Sequence, residues 1–235
     1  MSYPEHPNTV IIKNEFYPNG LREIDIWNYY QKVKWPLLQQ VANRDLMFFI
    51  VVDLNKDIVL RKGKTSRFIR LNNQNYDKLI TGRTISIHST MKRSENFGII
   101  DIDTDDFDEA KLATLKVYNL ITKSFNTSIR FSGKTSFHVI CDFGSDRNID
   151  SIRSFLEEEL FKSELSKEYT IGYRRTKSIP NLDLSPNKFR GGYITLHSLS
   201  TTGLKCMEVD PRRILSFRKE LAKIWKIMHW IGNTM

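Results

Sequence analysis

The stretch Phe131–Gly144, FSGKTSFHVICDFG, decides between two folds, because its Gly-Lys-Thr could end a phosphate-binding P-loop. A P-loop also requires a glycine five residues before Gly133, and this chain has Ser128 there. The residues after the turn are apolar, β-branched and aromatic, which predicts a strand and not the helix that would hold the phosphates. The sequence therefore predicts a β-hairpin with a basic turn and with His138 just inside its second strand.

Hydrophobic periodicity predicts an α+β fold around this hairpin. We expect helices at 21–35, 107–124, 149–165 and about 212–231, and strands at 46–54, 57–61, 83–89, 97–103, 182–184, 193–199 and 204–209. This mixed order of hairpins and crossover helices predicts a mixed or mostly antiparallel sheet core with packed helices. Repeats, low-complexity tracts and Pro/Gly/Ser linkers are absent from the sequence, which favours one compact body.

The composition is that of an ordinary globular protein, with 40% hydrophobic and 27% charged residues among 235. Its apolar runs are shorter than the roughly 20 residues of a membrane span, and its N-terminus lacks the pattern of a secretory signal. The two cysteines, Cys141 and Cys206, lie in apolar strand-like contexts that favour buried, reduced thiols. We therefore expect a cytoplasmic, nucleoid-associated protein.

The net charge of +9 favours a polyanionic partner, with nucleic acid ahead of an anionic membrane surface. The basic residues are clustered, and aromatic residues that could stack on bases lie among them. The candidates for nucleic-acid phosphate contacts are Arg61, Lys62, Lys64, Arg67, Arg70, Arg174 and Arg175.

Six carboxylates crowd into residues 101–109, and their positions divide them into two groups. Four fall at the start of the next predicted helix, where carboxylates cap amides and complement the helix dipole: Asp105, Asp106, Asp108 and Glu109. Asp101 and Asp103 end an apolar strand instead, and their i, i+2 spacing points both side chains to one face of the sheet. Such a pair is either an oxygen-ligand site for Mg²⁺ or Mn²⁺ or a solvated strand end.

Asp183, in the stretch IPNLDLSPNKFRGG, is a third candidate ligand. It follows an apolar residue of a short predicted strand and precedes a Ser-Pro-Asn turn signal, so it either caps that turn or joins the other carboxylates. If Asp183 meets Asp101 and Asp103, three carboxylates could hold two divalent ions for in-line displacement at phosphorus.

Three histidines lie beside hydroxyl residues in predicted strands: His88, His138 and His197. Each alone is more often a packing residue than a catalytic one. His138, however, follows a turn in which Ser132, Gly133 and Lys134 offer a hydroxyl, amides and an ammonium to a phosphate. With the carboxylates and the basic surface, the histidines favour a polyphosphate site.

Taken in order, IIDIDTD at 99–105, FSGKTSFHV at 131–139 and NLDLSPN at 181–187 resemble the three motifs of the archaeo-eukaryotic primase superfamily: D-x-D, S-G-x-x-x-x-H and a single Asp. The segment FYPNGLREIDIWNYYQKVKWPLLQQVANRDLMFF, at 16–49, resembles the opening of the polymerase domain of bacterial DNA ligase D and its stand-alone relatives. The resemblance covers roughly 14–209. It implies one primase-polymerase domain with an RRM-like catalytic core, an N-terminal lobe at about 1–90, a catalytic lobe at about 91–210 and a C-terminal helix at about 211–235.

The same resemblance implies roles for individual residues. Asp101, Asp103 and Asp183 are the catalytic metal ligands. Ser132, Lys134 and His138 contact the incoming nucleotide's phosphates, with His88 near the nucleotide and Arg190 and His197, in RGGYITLHSLSTTGL, gripping the triphosphate.

The chain departs from the motifs at two positions. Ser136 replaces the glycine usual two residues before the second motif's histidine, and His197 stands where ligase D proteins often have arginine. Two distant cysteines cannot form the zinc knuckle common in primase small subunits, which favours the ligase D side of the superfamily.

The function expected from these features is a template-directed DNA primase-polymerase. It would add ribo- or deoxyribonucleotides with two Mn²⁺ or Mg²⁺ ions and a nucleoside triphosphate, in DNA repair such as non-homologous end joining or in replication. Its partners would be a primer-template or single-stranded DNA and a separate ligase, end-binding or replication protein, without a membrane. Two alternatives stay open: a non-catalytic nucleic-acid-binding module and a metal-dependent phosphodiester hydrolase.

Overall fold

The structure is a computed structural model that describes residues 3–53, 58–62, 69–172 and 180–225, with the backbone alone at 53 and 58–62. Its strands are β1 (Val10–Asn14), β2 (Tyr17–Arg22), β3 (Leu46–Asp53), β4 (Ile58–Lys62), β5 (Thr84–Thr90), β6 (Ser94–Asp103), β7 (Asn126–Phe131), β8 (Phe137–Asn148), β9 (Thr170–Ile171), β10 (Asn181–Asp183), β11 (Gly192–Ile194) and β12 (Met207–Val209). Its α-helices are α1 (Glu23–Lys32), α2 (Lys34–Gln40), α3 (Tyr76–Leu79), α4 (Phe107–Ile121), α5 (Ile149–Lys162) and α6 (Leu165–Glu168).

The described strands form three sheets, which confirms the predicted α+β class. The central sheet has six strands in the order β12-β7-β8-β6-β10-β9. Within this sheet β10 and β9 pair in parallel, and the other neighbouring strands pair antiparallel. A second sheet has the order β11-β5-β3-β4, and β1 and β2 form a separate antiparallel hairpin. The predicted hairpin at Phe131–Gly144 is formed by β7 and β8, with register from Phe131–Phe137 to Asn126–Asp142. A strand follows the Gly-Lys-Thr turn, so a P-loop is excluded here.

Helices α4 and α5 cover the apolar face of the central sheet. Helix α4 begins where the Asp106 carboxylate accepts hydrogen bonds from two backbone amides of the first turn, those of Asp108 and Glu109. Its buried stripe is Ala110, Ala113, Val117 and Ile121, spaced as a helix packed on one face requires. These side chains pack on buried residues of β6, β7 and β8, and the opposite face of the sheet carries both polar side chains and the buried Ile99 and Ile140.

The two lobes expected at about 1–90 and 91–210 share a sheet. Strand β11 comes from the second lobe and pairs with β5 of the first, with Tyr193 opposite Ser89 and Ile194 opposite His88. The strand predicted at 193–199 ends at Ile194 because the backbone of His197 turns into the left-handed region, with φ of 68°. The two expected lobes are therefore joined through the second sheet.

The prediction of a C-terminal helix at about 211–235 is wrong for the described residues 211–225. These residues contain two 3₁₀ segments, Pro211–Ser216 and Lys219–Ala222. Between them Phe217 is extended (φ −64°, ψ 135°) and packs into an aromatic cluster with Phe107, Phe131 and Phe137. Anchoring this ring interrupts the helical path. Residues 226–235 lie outside the described ranges.

Both cysteines are buried and unpaired with each other, as expected, and burial raises the pKa of each thiol to about 12. Among the described helices, none is long and apolar enough to cross a membrane.

Candidate active site

A row of five polar side chains crosses the central sheet on the face opposite the helices. Strand pairing places five residues directly opposite one another in turn: Asp183 on β10, Asp101 on β6, His138 on β8, Arg130 on β7 and Glu208 on β12. Directly opposed residues of antiparallel strands point to the same face of a sheet. Asp103, two residues after Asp101, points there as well. The row thus has carboxylates at both ends, Asp183 and Asp101 at one and Glu208 at the other, with His138 and Arg130 between them.

The third carboxylate meets the first, as the sequence required of a metal site. Asp183 is the cross-strand partner of Asp101, so their Cα atoms are about 5 Å apart. In the structure the Asp183 carboxylate also caps its own turn, accepting hydrogen bonds from the amide (2.7 Å) and hydroxyl (2.8 Å) of Ser185. The turn-capping interpretation of Asp183 is therefore confirmed, and its role as a metal ligand stays a prediction.

The donor set of Asp101, Asp103 and Asp183 fits Mg²⁺ or Mn²⁺, because these ions prefer carboxylate oxygens. In the described part of the chain, however, no three His, Cys, Asp or Glu side chains are gathered tightly enough to form a ready-made metal site. Two of the Asp183 carboxylate's acceptor sites are occupied by the hydrogen bonds from Ser185.

Asn187 fixes the position of Asp183. Its side chain is fully buried, accepts a hydrogen bond from the Ile99 amide (2.8 Å) and donates to the Ile99 carbonyl (2.6 Å). The Asn187 amide side chain thus takes the place of a strand residue opposite β6, just beyond the end of β10. These bonds hold the turn after Asp183 against β6 and fix the register that sets Asp183 opposite Asp101.

The turn between β7 and β8 is braced from within and from behind. The hydroxyls of Ser132 and Ser136 are 2.7 Å apart, and the Ser132 amide donates to the Ser136 carbonyl. Gly133 has a φ of 92°, and a Cβ there would lie 2.7 Å from the Leu204 carbonyl oxygen. Behind the turn, the hydroxyls of Ser200 and Thr202 both donate to the Gly133 carbonyl at 2.6 Å. Its backbone is therefore held in one conformation.

A pocket of about 290 Å³ lies between this turn and the second sheet. Its polar wall includes five of the residues discussed above: His88, Asp101, Ser132, Ser136 and His138. Phe49, whose ring centroid is 4.9 Å from that of His88, also lines this pocket. The structure thus brings together four residues that the sequence predicted to share a site.

His138 is buried between the acidic and basic parts of the row. Burial lowers its pKa to about 3, and the positive charges of Arg130 and His88 add to the effect. The imidazole is therefore neutral at pH 7. Its Nε2 lies 3.6 Å from Oδ1 of Asp101, which makes this a polar contact and not an ion pair.

Three other predicted nucleotide contacts do not line this pocket. Lys134 is exposed at the tip of the turn. The Arg190 guanidinium stacks over the Phe189 ring, in a loop whose Pro186 lines the pocket. His197 lines a separate pocket of about 680 Å³ with Lys32 and Lys205, and burial lowers its pKa. Arg190 and His197 both have left-handed backbones, at 63° and 68°, which is uncommon for residues other than glycine.

The predicted nucleic-acid contacts fall mostly outside the described residues. Lys64, Arg67, Arg174 and Arg175 lie there, and Arg61 and Lys62 are described only as backbone of β4. Arg70 has a side chain that is 70% exposed and forms a 3.2 Å ion pair with Asp45. That pair leaves the guanidinium largely in solvent, where it could also meet a phosphate.

Sequence reasoning missed Arg130, Asn187, Ser200 and Thr202. Arg130 could have been found, because period-two alternation in SIRF and the hairpin register together place it beside His138. The other three act through backbone atoms that are distant in sequence, and nothing in the local pattern signals such contacts.

Comparison with known proteins agrees on the fold. No family model matches the sequence, and no curated protein does. The structure is similar to that of the polymerase domain of ligase D from Mycobacterium tuberculosis, solved in complex with DNA, with a TM-score of 0.72 over 90% of this chain and 89% of that chain. Sequence identity is 14%. The expectation of a primase-polymerase fold is confirmed, and the chain has the fold of a ligase D polymerase domain.

Proposed function

We propose that this protein is a template-directed nucleotidyltransferase, a primase-polymerase that adds nucleotides to a 3′-hydroxyl. The observation that carries the proposal is the pairing of β10 with β6, which sets Asp183 opposite Asp101 on the face that also presents Asp103 and His138. The fold shared with a polymerase domain supports it.

Asp101, Asp103 and Asp183 would hold the divalent ions, Mg²⁺ or Mn²⁺. When bound, such ions stabilise negative charge on a transferring phosphoryl group and on the attacking and leaving oxygens. The carboxylates' own task is to position the reacting groups on one face of the sheet. The buried apolar face beneath them keeps β6 and β10 rigid, since rigid elements hold a site more accurately than loops.

The β7–β8 turn would bind the triphosphate through backbone amides that the left-handed Gly133 directs outward, together with the Ser132 hydroxyl. Neutral His138 can donate one hydrogen bond without adding a charge next to Asp101. Exposed Lys134 and Arg190 would close on the phosphates from the two sides of the pocket. His88, which comes from the second sheet, would contact the nucleotide itself. His197 keeps its proposed triphosphate role only if the phosphates extend beyond this pocket.

DNA is the proposed second substrate. The structural neighbour was solved with DNA, and the net charge of +9 provides the sequence-independent attraction that phosphate binding needs. Repair of DNA ends and replication both require such an activity.

The experiment is an extension assay with a labelled primer on a DNA template, nucleoside triphosphates and Mn²⁺, with EDTA in a parallel reaction. We expect products longer than the primer that depend on both template and metal. Shortened products would establish a phosphodiester hydrolase instead. Salt-sensitive DNA binding without any change in primer length would establish a non-catalytic binding module.

A further inference from the structure

Arg130 lies in the same cross-strand row as the candidate metal ligands, one strand beyond His138. It is paired directly with His138 on β8, which is paired in turn with Asp101 on β6. Two strand spacings separate Arg130 from Asp101, which puts their Cα atoms about 10 Å apart. An arginine side chain can cover much of that distance, so its guanidinium can reach a group that extends from Asp101 past His138.

The guanidinium is largely buried and weakly partnered. The Arg130 side chain is 16% exposed, and within the described ranges its buried Nε has no hydrogen-bond partner. Its nearest carboxylate, that of Glu208, is 4.0 Å from Nη2 and 62% exposed. An exposed pair at this distance contributes little, whereas burying a charge without a strong partner is costly. A buried cation of this kind calls for an anion.

The pocket around Arg130 lies next to the candidate active site. Arg130 lines a polar pocket of about 270 Å³ together with Ser128, Asn126 and Tyr193. Tyr193 also lines the pocket that contains Asp101 and His138, so the two pockets are adjacent and this ring forms part of both walls. The second arginine of the polar pocket, Arg44, already forms a two-pronged ion pair with Glu95 at 2.7 and 3.0 Å. Arg130 is therefore the better candidate of the two for an incoming anion.

We propose that Arg130 binds the terminal phosphate of the incoming nucleoside triphosphate, beyond the phosphates held by the β7–β8 turn. The inference rests on the proposed function and adds to it a residue that would distinguish triphosphates from diphosphates. A guanidinium suits this task because its planar set of donors can contact two phosphate oxygens at once.

The test is isothermal titration of ATP and ADP into the protein without DNA, with Ca²⁺ as the divalent ion. We compare the unchanged protein with Arg130→Gln and with Arg147→Gln, a control at an exposed position on β8. We expect Arg130→Gln to weaken ATP binding at least about tenfold and ADP binding less than about twofold, since charge-assisted bonds to one phosphate are lost. Arg147→Gln should change neither affinity.

Glu208→Gln separates ligand binding from a structural role and serves if Arg130→Gln does not fold. If Arg130 binds phosphate, removing the exposed Glu208 carboxylate leaves ATP affinity unchanged or raises it, because a competing anion is gone. An equal loss of ATP and ADP affinity in Arg130→Gln, no loss of either, or weaker ATP binding in Glu208→Gln would overturn the inference. Failure of the unchanged protein to bind either nucleotide would instead overturn the proposed function itself.

Discussion

The carboxylates of residues 101–109 belong to two structurally different groups, although a single turn of chain separates them. Asp101 and Asp103 end β6, where Asp183 of β10 lies opposite and His138 of β8 lies alongside. Asp106 begins α4, where its carboxylate accepts two backbone amides. Neighbouring strands bring further polar side chains to Asp101 and Asp103, whereas the Asp106 carboxylate already accepts hydrogen bonds from its own helix.

This difference shows that the local density of negative charge does not define a site. The strand group differs because an antiparallel neighbour adds a third carboxylate, that of Asp183, to the face that presents Asp101 and Asp103. In the helix group, Asp106 caps the backbone of α4 and Asp108 forms an ion pair with Lys111. Substitutions in the two groups should therefore affect different measurements, activity for the first and stability for the second.

The largest effect is expected from the strand group. Asp101→Asn and Asp183→Asn should each lower nucleotide incorporation at least ~100-fold, because a metal ion stabilises the transition state by several kcal/mol and each 1.36 kcal/mol corresponds to a tenfold change in rate. Primer extension at saturating nucleotide measures this. The melting temperature should not fall, since removing a charge from a repulsive pair does not destabilise the fold.

Asp105→Asn is the matched control, because Asp105 is exposed and lies in the same acidic stretch. It should retain activity within about twofold of the unchanged protein, as expected for a surface substitution. If Asp105→Asn reduced extension as strongly as Asp101→Asn, the division into two groups would be wrong.

Asn187→Ala should affect both measurements. It leaves the buried amide and carbonyl of Ile99 without their side-chain partners, which costs about 1–3 kcal/mol for each group left unsatisfied. Urea denaturation measures the loss of stability, and extension should also weaken because Asp183 is no longer held opposite Asp101. Asn73→Ala, at an exposed position, should change the free energy of unfolding by less than about 0.5 kcal/mol. Unchanged stability in Asn187→Ala would contradict the anchoring role.

A smaller, more specific effect is expected at the brace behind the β7–β8 turn. The double variant Ser200→Ala, Thr202→Val removes both hydroxyl donors to the Gly133 carbonyl. The KM for nucleotide should rise about five- to tenfold while kcat changes little, because loss of these two hydrogen bonds loosens the turn and weakens phosphate binding by about 1 kcal/mol without touching the carboxylates. Ser124→Ala is the control. A fall in kcat with an unchanged KM would place the brace in the chemical step instead.

The smallest effect belongs to the helix group. Asp106→Ala should lower the free energy of unfolding by about 1 kcal/mol, as loss of an N-cap does, and leave extension unchanged. Thermal unfolding and the extension assay on the same preparation test this directly. A large loss of activity with intact stability would show that Asp106 belongs with the strand carboxylates.

Much of the fold could be predicted from the sequence, because several elements carry strong periodic signals. Helix α4 has both its cap and its apolar stripe, and the hairpin of β7 and β8 follows from a Gly-containing turn between two strand-like runs. The interruption of the expected C-terminal helix could not be predicted from the local sequence pattern. The extended backbone at Phe217 depends on ring contacts with Phe107, Phe131 and Phe137. Tertiary packing overrides helix propensity in such a segment.

The candidate site was predictable where residue type and motif order carried the signal, as for Asp101, Asp183 and His138. It was not predictable where the contact lies between distant backbone and side-chain atoms. Asn187 acts on Ile99, 88 residues away, and Ser200 acts on Gly133, 67 residues away. The register of strand pairing, which cannot be read from the sequence, places the separate motifs side by side in one row across the sheet.

The central claim is that Asp101 and Asp183 ligate a divalent ion and the carboxylates at the start of α4 do not. Titration of Mn²⁺ monitored by the electron paramagnetic resonance signal of the free ion measures this without any need for catalysis. Asp101→Asn and Asp183→Asn should each weaken Mn²⁺ binding at least ~10-fold, while Asp105→Asn and Asp106→Asn should bind as the unchanged protein does. Equal affinity in all four variants, or loss of binding only in the helix group, would contradict the account.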